Sequence, residues 1–219
     1  MAKVKVKKQS TFIDMTAMSD VTVLLLTFFM LTSTFVKNEP VQVTTPASVS
    51  DFMIPDTEVM TILVNEKGKI FLSLEESQAN IVETLKRVGE DYGVTFSPQQ
   101  YDVFKNLKSF GVPIGSMVQF LDLPKDARDS YLKEGENTRV GIPDSEEALS
   151  DVRGVVSAGK NEFKHWVMHA TEVNSELRIA IKADKLTAYP IIKKIMDDLR
   201  ELKKNRYLLI TTLKTASSE

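Results

Sequence analysis

The chain has 219 residues, 42% hydrophobic and 26% charged, with a formal net charge of −2. That length fits one or two domains with a genuine core, and the near-neutral balance gives no electrostatic reason for nucleic-acid binding. Cysteine is absent, which excludes disulfides, cysteine nucleophiles and thiolate metal sites.

Most of the unusual chemistry lies in the first 50 residues. Lys3, Lys5, Lys7 and Lys8 precede residues 21–36, VTVLLLTFFMLTSTFV, a run of sixteen without a charge. Extended back to Met15, the run has 22 residues and one charge, Asp20. As a helix it spans roughly 33 Å, about the thickness of a hydrocarbon core. Positive residues stay on the cytoplasmic side. Residues 1–14 are therefore expected as a cytoplasmic tail, 15–36 as a transmembrane helix, and 37–219 in the periplasm of a Gram-negative cell, anchored in the inner membrane. The rival reading is a cleaved secretory signal, with Ser33 and Thr34 as small residues near the cut. The length of the basic-to-apolar region and the acidic residue against it argue for an anchor.

Asp20 is the candidate proton carrier. An aspartate within a spanning helix costs roughly 2.5–3.5 kcal/mol on insertion scales and tends to mark an ion or proton path. Desolvation disfavours the charged form of a carboxyl, so such a group can be loaded and unloaded with protons. Thr16, Asp20, Thr27 and Thr34 are spaced by four, seven and seven, and share one narrow stripe of a helix. Val21, Leu25, Phe28, Phe29 and Met30 occupy other faces. Thr27 and Thr34 have a plainer explanation, bonding back to carbonyls of their own helix; that explanation does not extend to the aspartate. One helix cannot enclose a channel, so a multi-span partner is required.

Residues 37–57, with Pro40, Pro46 and Pro55, read as a flexible linker. Beyond it, 58–219 reads as one α+β domain. VMTILVN at 59–65 is a strand, Glu66-Lys67-Gly68-Lys69 a turn, and Ile70–Leu74 a returning strand. Leu177–Lys182 and Arg206–Thr212 are two further strands. Ile191, Ile192, Ile195, Met196, Leu199 and Leu202 recur at helical spacing between them. A small sheet backed by helices buries both kinds of apolar face. A helical insertion is expected within about 76–160. Ser97-Pro98-Gln99-Gln100 opens one helix, with Tyr101, Phe104, Leu107 and Phe110 as its apolar stripe and Gly111–Gly115 as its interruption. Pro124-Lys125-Asp126 and Ser145-Glu146-Glu147 open two more.

His165 and His169, at i and i+4, share a helix face, with Glu162 a turn earlier. With no further histidine and no cysteine to complete a tight zinc site, amphipathic helix surface is the expected role and no metal is assigned. No phosphate loop, nucleotide fingerprint or hydrolase elbow occurs, and no enzymatic chemistry is expected.

Residues 13–21, Ile-Asp-Met-Thr-Ala-Met-Ser-Asp-Val, followed by Leu24-Leu25-Leu26-Thr27-Phe28-Phe29-Met30, resemble the ExbD/TolR family of proton-driven motor subunits. That family carries a Thr-Pro-x-x-Asp-Val pattern before an apolar run ending in Phe-Met. Asp20 falls on the family's essential membrane aspartate; Ala17 replaces its proline, and Ser19 stands where an apolar residue is usual. Val41-Gln42-Val43-Thr44-Thr45-Pro46 resembles the family's linker motif, Val-x-Val-x-Leu-Pro, with Val41, Val43 and Pro46 in register and Thr45 in place of the leucine. Ile179–Lys185 resembles its strand ending in Ala-Asp-Lys. The resemblance implies an ExbD-like subunit that pairs with a second copy inside an ExbB-like pentameric ring. Protons would be its coupling ion, with no cofactor, and a TonB-like protein would receive its motion for outer-membrane transport. A TolR-like role in envelope maintenance is the near alternative, and a tethered periplasmic binding module with no proton role the distant one.

Overall fold

The computed structural model describes residues 15–32, 43–44, 47–48, 57–133, 140–144, 161–210 and 212–213. The chain divides into two compact units, Met1–Asn38 and Glu39–Glu219. The first contains helix α1, Met15–Thr32. Residues 33–36 of the expected span, the basic tail and the expected helix start at Ser145 lie outside the described residues.

The second unit is built on a four-stranded mixed sheet. Strands β2 (Val59–Val64) and β3 (Ile70–Glu75) form an antiparallel hairpin, with Val59 opposite Glu75 and Val64 opposite Ile70. The turn between them needs the left-handed backbone of Gly68, at φ 75°. On its other side β2 pairs in parallel with β4 (Arg178–Ala183), which pairs in parallel with β5 (Tyr207–Leu209). The order is β3-β2-β4-β5. β2 lies inside the sheet with five of its six residues buried, so it reads as a continuous apolar run instead of an alternating one.

The expected closing strand at 206–212 is divided. After β5 the Ile210 N–H still bonds Ile181 O, at 2.8 Å, but β6 (Thr212–Leu213) leaves the main sheet. It pairs in parallel with β1 (Ala47–Ser48), a strand inside the stretch read as linker.

Between β3 and β4 the chain is mostly helical. Helix α2 (Gln78–Tyr92) starts at Ser77, whose hydroxyl accepts from Asn80 N–H, and stops at Gly93 in the left-handed region. It buries Ile81, Thr84, Leu85 and Val88, one helical stripe. Helix α3 (Pro98–Phe104) opens with the full capping box of Ser97 and Gln100. It ends at Phe104, which corrects the longer stripe expected from Tyr101 to Phe110. Leu107 N–H bonds Phe104 O in the turn that closes the helix, and Phe110 has left helical structure altogether. Phe110 and Leu72 exchange both backbone hydrogen bonds, at 2.7 and 2.8 Å, so the segment runs along the outer edge of β3. Ile142 adds a second bridge there, to Ile70. Edge pairing satisfies backbone groups that would otherwise be exposed templates for aggregation, and outweighs the weak local preference for one more helical turn.

Helices α4 (Ile114–Asp122), α5 (Lys125–Lys133), α6 (Glu162–Val173) and α7 (Tyr189–Glu201) complete the unit. α5 begins where Pro124-Lys125-Asp126 predicts. In α7, Ile195 and Leu199 are fully buried, and Ile191, Ile192 and Met196, with Leu202 just past its end, pack against the core. Phe104, Phe110 and Trp166 stack together, with ring centroids 4.8–6.1 Å apart. All three join the same buried cluster as β2 and β3. The helical region is thus part of one core.

Candidate functional site

α1 carries one ionisable side chain, Asp20, in MTAMSDVTVLLLTFFMLT. None of its residues is buried, and large apolar side chains such as Leu24, Phe28, Phe29 and Leu31 stand open on all sides. Among the described residues it is the one helix long and apolar enough to cross a membrane. Its 18 residues reach roughly 27 Å. An apolar surface of this size needs lipid or protein around it.

At about 100° per residue, Thr16 and Thr27 fall within about 40° of Asp20 around the helix. Thr34 lies outside the described residues. The Thr27 hydroxyl donates to Leu24 O at 2.9 Å, and Ser19, Thr22 and Thr32 likewise bond back to carbonyls of α1. These hydroxyls are tied to their own backbone. A carboxylate has no hydrogen to give a carbonyl, so Asp20 has no such outlet.

Of the linker motif, Val41 and Pro46 lie outside the described residues. Val43 is half-buried against the core. Beside it, Thr44 N–H donates to Asp184 Oδ2 at 2.8 Å, and Lys185 N–H returns a bond to Thr44 O at 2.9 Å. Asp184 Oδ1 also accepts from Leu186 N–H, an Asx turn that orders the start of the βα connection. The Asp184-Lys185 segment is therefore the seat on which Thr44 rests. Spacing in the sequence carried no sign that the two motifs meet.

A second polar cluster joins α2 to α6. His165 and His169 share a face of α6 as expected, and the structure supplies a third group, Asp91, from the last turn of α2. Asp91 Oδ2 lies 2.6 Å from His165 Nδ1 and 2.7 Å from His169 Nε2. His169 Nδ1 faces Glu172 Oε2 at 3.2 Å, and the Tyr92 ring meets His165 edge-on, with centroids 5.5 Å apart. Burial pushes the Asp91 carboxyl up, but the hydrogen bonds with His169 and His165 outweigh it and hold the group below its ordinary value. Tyr92 is pushed well up, by burial first and then by the Glu162 and Asp91 carboxylates, and stays neutral.

Glu162 does not belong to that cluster, and it is not on the surface. It is fully buried. Its Oε1 accepts from Ile114 N–H at 2.9 Å and from Trp166 Nε1–H at 3.2 Å. α4 begins after Pro113, which offers no side-chain cap. Glu162 satisfies an open N–H of that helix from 48 residues away in sequence, where the helix dipole favours a negative charge.

Residues 7–100 match the family model described as Biopolymer transport protein ExbD/TolR. The match takes in α1, the Val43–Thr44 segment, the β2–β3 hairpin and α2, and it ends at the start of α3. The first part of the expected insertion thus lies within the family-matched stretch, whereas the Ala-Asp-Lys segment lies beyond it. No curated protein and no solved structure matches the chain. The family works with ExbB-like membrane partners, and the matched stretch includes α1, the helix among the described residues that is long and apolar enough to cross a membrane.

Proposed function

We propose that this chain, whose residues 7–100 match the ExbD/TolR family model, is an ExbD/TolR-like proton-carrying subunit of a membrane motor that energises transport across the outer membrane. The observation that carries the reading is Asp20, the one ionisable group of an exposed, largely apolar helix in the family-matched stretch. An exposed helix rich in large apolar side chains needs a surrounding partner, and the proposed one is an ExbB-like pentameric ring holding two copies of α1. Protonation removes the charge of Asp20 and its preference for polar contacts; deprotonation restores both. Each proton crossing 100 mV makes roughly 2.3 kcal/mol available. Protons are the coupling ion, and the outcome is force instead of bond chemistry. The N-terminus lies in the cytoplasm, the second unit in the periplasm, and a TonB-like protein receives the motion. Thr16 and Thr27 lend polarity to the Asp20 face.

Asp20→Asn tests this, because it keeps the size and removes the charge cycle. Energy-dependent siderophore or vitamin uptake is expected to fall to the level of a strain lacking the protein, with protein level and complex assembly unchanged. Normal uptake with intact assembly would overturn the proton role. Envelope defects with normal uptake would move the chain to the TolR-like role. N-terminal sequencing of the mature protein checks the anchor: a start near residue 35 would end it.

A further inference from the structure

His169 sets a problem in proton counting. Both of its ring nitrogens face carboxylate oxygens, Nε2 toward Asp91 Oδ2 at 2.7 Å and Nδ1 toward Glu172 Oε2 at 3.2 Å. A neutral imidazole has one N–H and one lone pair. If Nδ1–H donates to Glu172, the Nε2 lone pair points at the Asp91 carboxylate, and the two repel. A cation between them removes the repulsion: a proton on Nε2, or a metal ion. His165 Nδ1 converges on the same oxygen, and one ligand atom from each of the three side chains lies within 4.8 Å of the others.

We propose that Asp91, His165 and His169 form a binding site for one borderline divalent transition-metal ion, of which Zn²⁺ is the representative, and that the ion clamps α2 to α6. The donor set decides the class of ion. Two imidazoles and a carboxylate suit zinc and its neighbours, whereas calcium and magnesium call for oxygen donors throughout. Two histidines at i and i+4 on one helix already present a bidentate face. Asp91 closes it from the neighbouring helix. Glu172 accepts the remaining N–H of His169, as carboxylates do behind metal-bound imidazoles, and so fixes its tautomer. The Tyr92 ring against His165 holds the other imidazole.

Geometry requires a small adjustment. Zinc at about 2.0–2.1 Å from each donor sets donors roughly 3.3 Å apart in a tetrahedron. Asp91 Oδ2, at 2.6 and 2.7 Å, must withdraw by about 0.6–0.7 Å from the imidazoles. Its side chain is 31% exposed, and the two imidazole nitrogens, within 4.8 Å of each other, must settle at the same separation of about 3.3 Å. The two histidine side chains are 23% and 11% exposed, so an ion can enter from solvent and keep a water in the fourth position. Arg87, whose Nη1 lies 3.8 Å from Glu172 Oε2, is a nearby cation that opposes binding.

The test uses the full chain in detergent, free of any polyhistidine tag and stripped with chelator. Zn²⁺ alone is titrated by calorimetry, and Co²⁺ by its visible absorption. One ion per chain is expected, with a tetrahedral Co²⁺ spectrum and a rise in the unfolding temperature that chelator reverses. Asp91→Asn, His165→Asn and His169→Asn should each weaken binding at least about tenfold, and Glu172→Gln about tenfold, with far-UV circular dichroism unchanged. Lys105→Ala, remote from the cluster, should leave it unaltered. Should any ligand variant fail to fold, X-ray absorption at the zinc edge of the wild-type chain carries the same test, through two imidazoles and one carboxylate around the metal. Absence of saturable binding, binding that survives the ligand substitutions, or stabilisation that follows pH and ignores metal would overturn the site in favour of a proton-bridged cluster. None of these outcomes depends on the motor reading.

Discussion

Glu162 shows how far a single buried carboxylate can reach. Its Oε1 holds the first N–H of α4 and the indole N–H of Trp166 together, deep in the second unit. Removing the acceptor strands two buried donors, each at about 1–3 kcal/mol. Glu162→Ala is therefore expected to destabilise the domain by roughly 2–5 kcal/mol. Glu162→Gln, which keeps an oxygen acceptor and drops the charge, should cost much less. Chemical denaturation of the two variants compares them directly, and an alanine variant as stable as the glutamine one would remove the bridging role. From the sequence, Glu162 was legible only as a neighbour of His165 and His169. Helical spacing places it near their face, but which way a first-turn residue leans depends on what packs above it.

The segment after α3 illustrates competition between local and tertiary preferences. Phe104, Leu107 and Phe110 carry helical spacing, yet the chain turns after Phe104 and lies along β3. Gly111 makes the close approach possible: a Cβ there would come within 2.1 Å of the Phe71 ring, which is itself buried in the core. Gly111→Ala forces either the ring or the edge segment aside. A loss of about 1–3 kcal/mol is expected, as for other overpacked cores, together with faster amide exchange at Leu72 and Phe110. Unchanged protection at those two amides would show that the edge pairing tolerates the methyl. The glycines read as a helix interruption from sequence; that one of them marks a backbone-to-ring contact was invisible without the partner strand.

Over the molecule, the linker and the C-terminal half are joined through Thr44 and Asp184, 140 residues apart in sequence. Asp184→Ala removes the acceptor for both Thr44 N–H and Leu186 N–H. Because Thr44 is exposed, global stability should fall by no more than about 0.5–1.5 kcal/mol, while exchange at the Thr44 and Leu186 amides should accelerate clearly. Equal exchange in wild type and variant would mean that β1–β6 pairing and Val43 packing alone seat the segment. The sheet shows the same long reach. β4 reaches β2 only after the whole helical region has been crossed, so the core cannot close until distant parts of the chain meet.

Local chemistry was sufficient to mark the apolar helix with its lone carboxylate, the hairpin at 59–75, the capping box at Ser97 and the apolar stripe of α7. Each of these depends on residues within a turn or two of one another, where spacing and propensity act directly. The stop signal at Gly93 and the stripe of Ile81, Leu85 and Val88 belong to that class, although α2 was read only as part of a helical insertion. The division of the last strand, the burial of Glu162, the seating of Thr44 on Asp184 and the arrival of Asp91 beside two histidines were decided by folding in three dimensions. In each case the partners come from separate elements, and hydrogen bonding between distant backbone and side-chain groups overrides what neighbours in the sequence prefer.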